Sequence, residues 1–518
     1  MKDEHQSSEI TLADLEQCLR VMEAAADDSL LLSRMPEKER IKLFIAAGRI
    51  IRPEKEEVRR RIRALRRNRR EKKQSLDRSV RAATEIRTSR LDSVFIPPPR
   101  LLTSGDETPG VGELQKPRDC YVCKTEFRKL HFFYDSMCPA CAQLNYDKRF
   151  QTASLEGRVA LITGARLKIG YQAALMMLRS GARVIVTTRF PQDAALRYAK
   201  EPDFVKWRER LQIHGLDLRH SPSVETFTRF VNQTSDRLDI LINNAAQTVR
   251  RPPGFYAHLL ETEGRKHRDL PDEVKPLLLG HEECKSALGG SSIPSGLDAD
   301  TTWISEWHKG KASAALGLTA SAELSQIPYS CDSSEDAAAL FPAGKLDADL
   351  QQVDLRQVNS WRLTLADVPT AELLEVQLVN AIAPFILCSK LKPLMLRDRT
   401  DEKHIVNVSA MEGKFRRRTK TDKHPHTNMA KAALNMMTLT SARDYAQSGI
   451  FMNAVDTGWV TDEDPATISA RKQLEHDFQP PLDIVDGAAR VCDPFYSGLL
   501  TGKHSWGNFL KDYFPTDW

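Results

Sequence analysis

From Gly157 onward, short apolar runs alternate with longer stretches of helical periodicity. Val159–Thr163, Arg183–Thr188, Leu211–Leu216 and Leu238–Asn243 are β-rich runs separated by amphipathic segments. The rhythm resumes later with a helix over Glu372–Met395, a strand over His404–Val408, a helix over His426–Ala446 and a strand over Ile450–Val455. Such alternation predicts an α/β fold with a doubly wound parallel sheet and right-handed crossovers. Between Gln247 and Pro369 it stops. SALGGSSIPSGLDADTT and SAALGLTASAELS are too polar and too rich in small residues for one core element. Residues 247–369 therefore read as an insertion, partly disordered, with short helices.

Residues 1–95 read as helical and basic. Leu12, Leu15, Leu19 and Met22 form an apolar stripe, and Thr11 with Asp14 resembles a capping box. Pro36 suits the start of a second helix carrying Ile41, Phe44, Ile45 and Ile50. Val58–Lys73 then holds ten Lys/Arg against the single acid Glu71, with Val58, Ile62 and Leu65 as sparse apolar anchors. This predicts a solvated helix. Residues 96–115 have linker composition, and 116–150 carry four clustered cysteines.

With 518 residues the chain has room for about three domains, or one large domain with appendages. An apolar content of 41% supports a real core, while 28% charged residues leaves some segments poorly packed. The net charge of +5 excludes a polycation, so the basic excess is local. MKDEHQSSEI has no apolar signal core, and no run approaches the roughly 18 apolar residues of a membrane span. Nine cysteines show no disulfide framework, so a reducing, cytoplasmic compartment without membrane attachment is expected.

Thr163–Gly170, TGARLKIG, lies between an apolar strand and an amphipathic helix. Gly164 permits a tight turn and Gly170 lets the helix approach the sheet, so the helix N-terminus is placed to bind a pyrophosphate. On these residues the chain resembles the short-chain dehydrogenase/reductase family over roughly residues 157–250 and 372–510. The resemblance implies a Rossmann dinucleotide-binding domain built from 155–246 and 370–518. The family turn is TGxxxGxG, and Lys168 stands at its middle glycine, restricting the backbone to φ values a side chain tolerates. The second strand ends in Thr188 where an acid would bind NAD ribose, and Arg189 follows. With Arg166 and Lys168 nearby, this favours NADP over NAD. Asp217 resembles the adenine-contacting aspartate and Asn243–Ala246 the NNAG segment, while NAVDTGWV matches the NxVxPG loop around Gly458 and Val460. The implied cofactor-binding set is Thr163, Gly164, Arg166, Lys168, Ile169, Gly170, Arg189, Asp217, Asn244, Ala245, Lys431, Gly458 and Val460.

The family's catalytic residues carry over incompletely. Asn380 matches its asparagine and Lys431 its lysine, but Thr427 stands at the tyrosine and Ala410 at the serine, with Ser409 one place earlier. A threonine hydroxyl is a poor general acid beside a phenol of pKa ~10, and Ser409 points to the opposite strand face. The loop KFRRRTKTDKHPH brings His424 and His426 to the start of the Lys431 helix, where an imidazole is suited to proton transfer; Glu412 is a weaker alternative. The candidate catalytic residues are thus Asn380, Ser409, Thr427, Lys431 and His426.

Cys120-x2-Cys123 and Cys138-x2-Cys141 have the spacing of a tetrahedral zinc ribbon, with four thiolates closing the shell around a structural metal. Residues 1–150 also offer a surface for a protein or nucleic-acid partner. The leading reading is an NADP-dependent oxidoreductase acting on a small carbonyl or alcohol substrate. The alternatives are a non-catalytic NADP-binding sensor or scaffold, and a nucleic-acid-associated protein. A homo-oligomer is common in the family, and oligomeric state stays open.

Overall fold

The computed structural model describes residues 10–92, 94–100, 111–289, 315–329, 337–416 and 420–518. The chain divides into two units, Met1–Leu76 and Asp77–Trp518. The first unit is helical: α1 (Leu12–Asp27), α2 (Glu37–Ile51) and most of α3 (Lys55–Ala82). α1 starts at a true capping box, in which Thr11 Oγ1 accepts from Asp14 N while the Asp14 carboxylate accepts from Thr11 N. None of these three helices buries a residue, and the Leu12–Met22 stripe stays exposed. α3 is a solvated helix laced by the pairs Arg61–Glu57 and Arg67–Glu71.

In the second unit, β1 (Glu113–Asp119) begins inside the expected linker and pairs with β2 (Glu126–Lys129) as an antiparallel ribbon. Its polar sequence, ELQKPRD, carries no alternation that would mark a strand. α4 (Pro139–Arg149) closes the cysteine segment. The Rossmann part follows as β3 (Val159–Thr163), α5 (Lys168–Arg179), β4 (Arg183–Thr188), α6 (Pro191–Tyr198), β5 (Leu211–Gly215), α7 (Ser221–Thr234) and β6 (Ile240–Asn243). After the insertion, which contains α8 (Lys275–Gly289), come α9 (Thr370–Gln377), α10 (Ala383–Met395), β7 (Lys403–Ser409), α11 (Pro425–Ala446), β8 (Ile450–Asp456) and α12 (Ile484–Thr501). The hairpin β9 (Phe509–Lys511) and β10 (Phe514–Thr516) ends the chain.

The sheet order is β5-β4-β3-β6-β7-β8-β9-β10, parallel except for the terminal hairpin. The order reverses between β3 and β6, which opens a crevice at the carboxyl ends of these strands. Both faces of the sheet are covered. Ala160, Ile162, Val184 and Val186 pack with Ala173, Met177, Tyr198 and Phe495, whereas Leu161, Ile185 and Leu241 pack with Phe227, Leu387, Leu391 and Ala442. Double-sided burial is why these strands read as continuous apolar runs. The same demand explains Thr370–Met395, which is long enough for a bilayer and contains an 18-residue window of mean hydropathy 1.5, half of which is buried here.

Two described parts of the insertion, Lys275–Gly289 and Leu316–Thr319, pack beside β5 of the sheet. α8 lies against β5, with Gly215 N donating to His281 Nδ1 at 3.3 Å, and thereby covers the sheet's edge. Most of the first small-residue run lies outside the described residues; the second, from Ala315, packs its Gly317 against α7.

A third core joins the cysteine segment to the end of the sheet. Phe132, Phe133, Tyr134, Met137 and Tyr146 pack with Val460, Leu482 and Ile484. Within it Arg149 donates to Asp483 at 2.7 Å and to Asp486 at 2.9 Å, and its guanidinium lies over the Phe133 ring. Arg149→Ala would strand two buried carboxylates, so we expect a stability loss of about 3–5 kcal/mol. Urea denaturation checks this; a loss under about 1 kcal/mol, the level of a surface pair, would show that the cluster does not hold the segment.

Candidate functional site

The crevice between β3, β4 and β6 is a cavity of about 360 Å³, within the range of small-molecule sites. Its floor is the turn after β3, which requires glycine twice. A Cβ on Gly164, whose φ is +67°, would sit 2.8 Å from Ala245 Cα, and one on Gly170 would meet Gly164 O at 2.4 Å. The β6 end braces this turn. Thr163 Oγ1 accepts from Asn244 N and Ala245 N, and Asn244 Nδ2 donates to Thr163 O and Gly164 O, each at 3.0 Å.

Lys168 departs from expectation. Its φ is +55°, so the lysine adopts the left-handed conformation of the glycine it replaces, at a cost of roughly 1 kcal/mol. The turn's geometry, fixed by its contacts, overrides the residue's preference. Its Nζ lies 3.8 Å from Asp349 of the insertion.

The cavity wall is rich in cations. Arg166 pairs with Asp193 at 2.7 Å, and Arg189 donates to the Tyr256 hydroxyl at 2.7 Å. Asp217 is clasped by Arg219 at 2.6 Å, and although burial opposes its charge, Arg219 holds its pKa below the ordinary value. Ile169 also lines the cavity, but Val460 is buried in the core with the cysteine segment, and Thr461 and Glu463 form the wall instead. Gly458, with φ +76°, leaves room for Leu482 and the Tyr121 hydroxyl. That hydroxyl accepts from Trp459 N at 2.9 Å, so a residue between two cysteines props the loop expected to meet the nicotinamide.

The candidate catalytic residues are only partly brought together. Asn380 sits in a π-helical turn, Leu378–Ile382, and its amide accepts from Gln247 N at 2.8 Å and donates to Gln247 O at 2.9 Å. Thr427 Oγ1 donates to Thr248 O at 3.2 Å, so both residues converge on the segment leaving β6. Lys431 is buried, and its Nζ donates to Val408 O at 2.8 Å. Ser409 does not line the cavity: its hydroxyl donates to Asn435 Oδ1, one turn beyond Lys431 on α11, at 2.5 Å. His424, at the N-cap of α11, stacks on Trp361 at 3.9 Å. His426 is buried with no hydrogen bond to either ring nitrogen, and Glu372 Oε1 lies 3.8 Å from its Nε2. None of Asn380, Ser409, Thr427, Lys431 or His426 lines the cavity, although Thr248, Val249, Val379 and Thr461 do.

Sequence reasoning missed several groups. Asp456 ends β8 in register with Ser409, and burial, chiefly, raises its carboxyl to about 6. An acid inside NAVDTG was its only signal. Glu372, Arg251, Tyr256 and Asp349 come from helices or insertion segments whose proximity the linear sequence does not show.

The four cysteine sulfurs lie within 4.8 Å of one another, with Cys123 and Cys138 Sγ 3.7 Å apart. A tetrahedron with metal–sulfur bonds of about 2.3 Å has edges of about 3.8 Å, so the donor set fits a metal ion.

Burial lowers the Lys431 pKa from 10.5 to about 8, against the opposing charges of Glu412 and Asp456. Between these values the unfolded chain binds more protons than the folded one, so stability rises with pH from about 8 to 10.5. Below pH 8 both states are protonated and this contribution is flat. Denaturation at stepped pH should show the rise in the parent protein and its loss in Lys431→Met; parallel profiles would refute the shift.

A family model described as short chain dehydrogenase matches residues 158–261, and one described as Enoyl-(Acyl carrier protein) reductase matches residues 307–481. The chain is 28% identical over 405 residues to the uncharacterized protein R665 of Acanthamoeba polyphaga mimivirus, covering 76% of this chain and 74% of that one. It is 34% identical to mouse retinol dehydrogenase 13, covering 18% of this chain and 28% of that protein. For dehydrogenase/reductase SDR family member 13 of Bos taurus the identity is 38%, covering 18% and 24%. The chain thus spans about a quarter of these two named relatives. A solved short chain dehydrogenase from Burkholderia cenocepacia in complex with NADP superposes with a TM-score of 0.40 at 16% identity, covering 69% of this chain and 97% of that one.

Proposed function

The chain belongs to the short-chain dehydrogenase/reductase family, and from that premise we propose an NADP-dependent oxidoreductase acting on a carbonyl or alcohol through an altered proton-transfer centre. The observation that carries this reading is the cation-lined cavity at the strand switch point, where Arg166, Lys168, Arg189 and Arg251 surround a glycine turn at a helix N-terminus. Thr163, Gly164, Gly170, Asn244 and Ala245 would hold the dinucleotide against the turn, and Arg189 favours a 2′-phosphate over the bare ribose of NAD. When bound, the cofactor supplies or accepts a hydride.

The chain's own residues manage position and protons. Asn380 fixes the backbone of Gln247, and Thr427 holds Thr248, so the segment leaving the cavity is anchored from both sides. Lys431 contributes a buried positive charge beside Val408. His426 stands next to Thr427, and burial lowers its pKa while Glu372 opposes that shift; its imidazole would accept a proton from an alcohol during oxidation, and its protonated form would return one to the alkoxide during carbonyl reduction. The missing tyrosine costs about 10²–10⁴-fold in rate, so slow turnover is expected.

A second reading, a dinucleotide-binding sensor or scaffold, is favoured by a different observation: the cavity lining stops short of Lys431 and Asn380. NADPH carrying deuterium at C4 separates the two. Deuterium transfer to an aldehyde or ketone from a broad panel, reduced at least about tenfold in His426→Ala, supports the enzyme. Tight NADPH binding without transfer to any panel member establishes the sensor.

We also propose that Cys120, Cys123, Cys138 and Cys141 hold a structural Zn²⁺, since four thiolates leave no open position. Metal analysis should find one zinc per chain, and the double variant Cys138→Ser/Cys141→Ser should lose it together with thermal stability. Because Tyr121 props Trp459, NADPH affinity should fall as well. An unchanged metal content in that variant would refute the assignment.

A further inference from the structure

Three guanidinium groups converge on one phenol at the adenosine end of the cavity. Tyr256, from the insertion, accepts from Arg189 at 2.7 Å, and the Arg189 guanidinium lies 4.6 Å from the Tyr256 ring centre. Arg166 lies over Phe190 at 5.2 Å, and Arg251 over Phe255 at 5.0 Å. Arg166, Arg189, Arg251 and Tyr256 all line the cavity. Two of these cations are neutralised within the chain, Arg166 by Asp193 and Arg251 by Asp354. Among the described residues Arg189 has no carboxylate in contact.

The field at this point is strong enough to reverse the usual effect of burial. Burial raises the phenol pKa of Tyr171, Tyr198 and Tyr496. At Tyr256 burial acts in the same sense, but Arg189, Arg251 and Arg166 outweigh it and the pKa falls. Stabilisation of a phenolate here is stabilisation of any anion that reaches the same spot.

The residues are also held in place. Phe190, Phe255, Tyr256, Leu259 and Phe341 form a buried apolar cluster that fastens the insertion to the end of β4, with the Phe190 and Tyr256 rings 5.1 Å apart. Asp354 pairs with Arg251 and Arg356 together. Insertion and strand thus present a preorganised cationic seat.

We propose that Arg251 and Tyr256 of the insertion, together with Arg189, form the seat of the cofactor's 2′-phosphate, so that the insertion sets the preference for NADP over NAD. This rests on the NADP reading above. Asp217 acts on Arg189 only through space, without an ion-pair contact, so a dianionic phosphate would supply the contacting anion and accept from the guanidinium groups and the phenol hydroxyl.

The test uses 2′,5′-ADP and 5′-AMP as probes, titrated calorimetrically against the full chain and Arg189→Gln, Arg251→Gln and Tyr256→Phe. The parent protein should bind 2′,5′-ADP more tightly than 5′-AMP. Each variant should lose about tenfold or more in 2′,5′-ADP affinity, the size of one charge-assisted hydrogen bond, with 5′-AMP affinity unchanged. If Arg189→Gln alone loses the preference, the insertion has no part in it and the NADP reading survives. If Arg251→Gln and Tyr256→Phe weaken both probes equally, their role is structural and the inference fails. A parent protein without preference overturns the NADP reading and the inference together.

Discussion

One buried guanidinium fixes the cysteine segment to the sheet. Arg149, at the end of α4, lies between Asp483 and Asp486 at the first turn of α12. Taking these charges out of water is costly and is offset by hydrogen bonding and by the opposite charge. Asp483 Oδ1 caps α12 by accepting from Val485 N and Asp486 N, Asp486 accepts from Asp483 N, and the Tyr134 hydroxyl donates to Asp486, which leaves only Asp483 Oδ2 of these carboxylate oxygens without a hydrogen bond. Burial opposes the charge on Asp483, yet Arg149 and the helix amide hold its pKa down; Asp486 is pushed up by burial and by Asp483 beside it. Everything nearby follows from this anchor. Arg490 reaches Asn145, Tyr121 meets Trp459, and Val460 and Ile169 pack against the same aromatic core. The four-cysteine knuckle is thereby tied to the loop around Gly458.

The fold was legible where both sides of an element face a core. β3, β4 and β6 are apolar throughout because helices cover both faces, and their expected limits differ from those observed by no more than two residues. β1 was not legible, since a ribbon with mixed exposure needs little apolar content to pair. Nor was the packing of the insertion. Its small residues suggested a loose excursion, but Gly317 sits where a Cβ would lie 2.9 Å from His220, so smallness there serves close approach. Composition does not distinguish the two uses of a small residue.

In the site, local signals were legible and distant ones were not. TGARLKIG and NNAA revealed the turn and its brace because those contacts are set by one strand–turn–helix unit. The conformation of Lys168 was not, since the turn's close contacts decide it rather than the residue's propensity. Ser409 behaves as strand alternation requires, facing α11. His424 was nominated with His426 for proximity in sequence, yet it is a left-handed residue stacked on Trp361, whereas His426 turns into the core toward Glu372. Two positions along a helix entrance separate a half-buried ring stack from a buried imidazole.

The charge layout gives the cavity two unlike ends. At the end lined by Arg166, Arg189 and Arg251, cations exceed their carboxylate partners and are held by an aromatic cluster. Beyond its other end, on the proposed reading, Thr427 takes the place of the family's proton donor, and Lys431, outside the lining, is tied to Val408 O. Losing a general acid of 10²–10⁴-fold corresponds to about 3–5 kcal/mol of barrier, while holding two reactants in register supplies about 7–11 kcal/mol. On the proposed reading, positioning therefore outweighs the missing tyrosine, and hydride transfer survives at reduced rate if a substrate can enter beside Thr248 and Thr461. The same numbers favour a tightly held cofactor: binding energy from the adenosine end is spent on orientation only when a second reactant is present. Without one it appears as affinity alone. Enzyme and sensor are then two outcomes of one electrostatic design, separated by whether the closed segment around Gln247 and Thr248 admits a carbonyl.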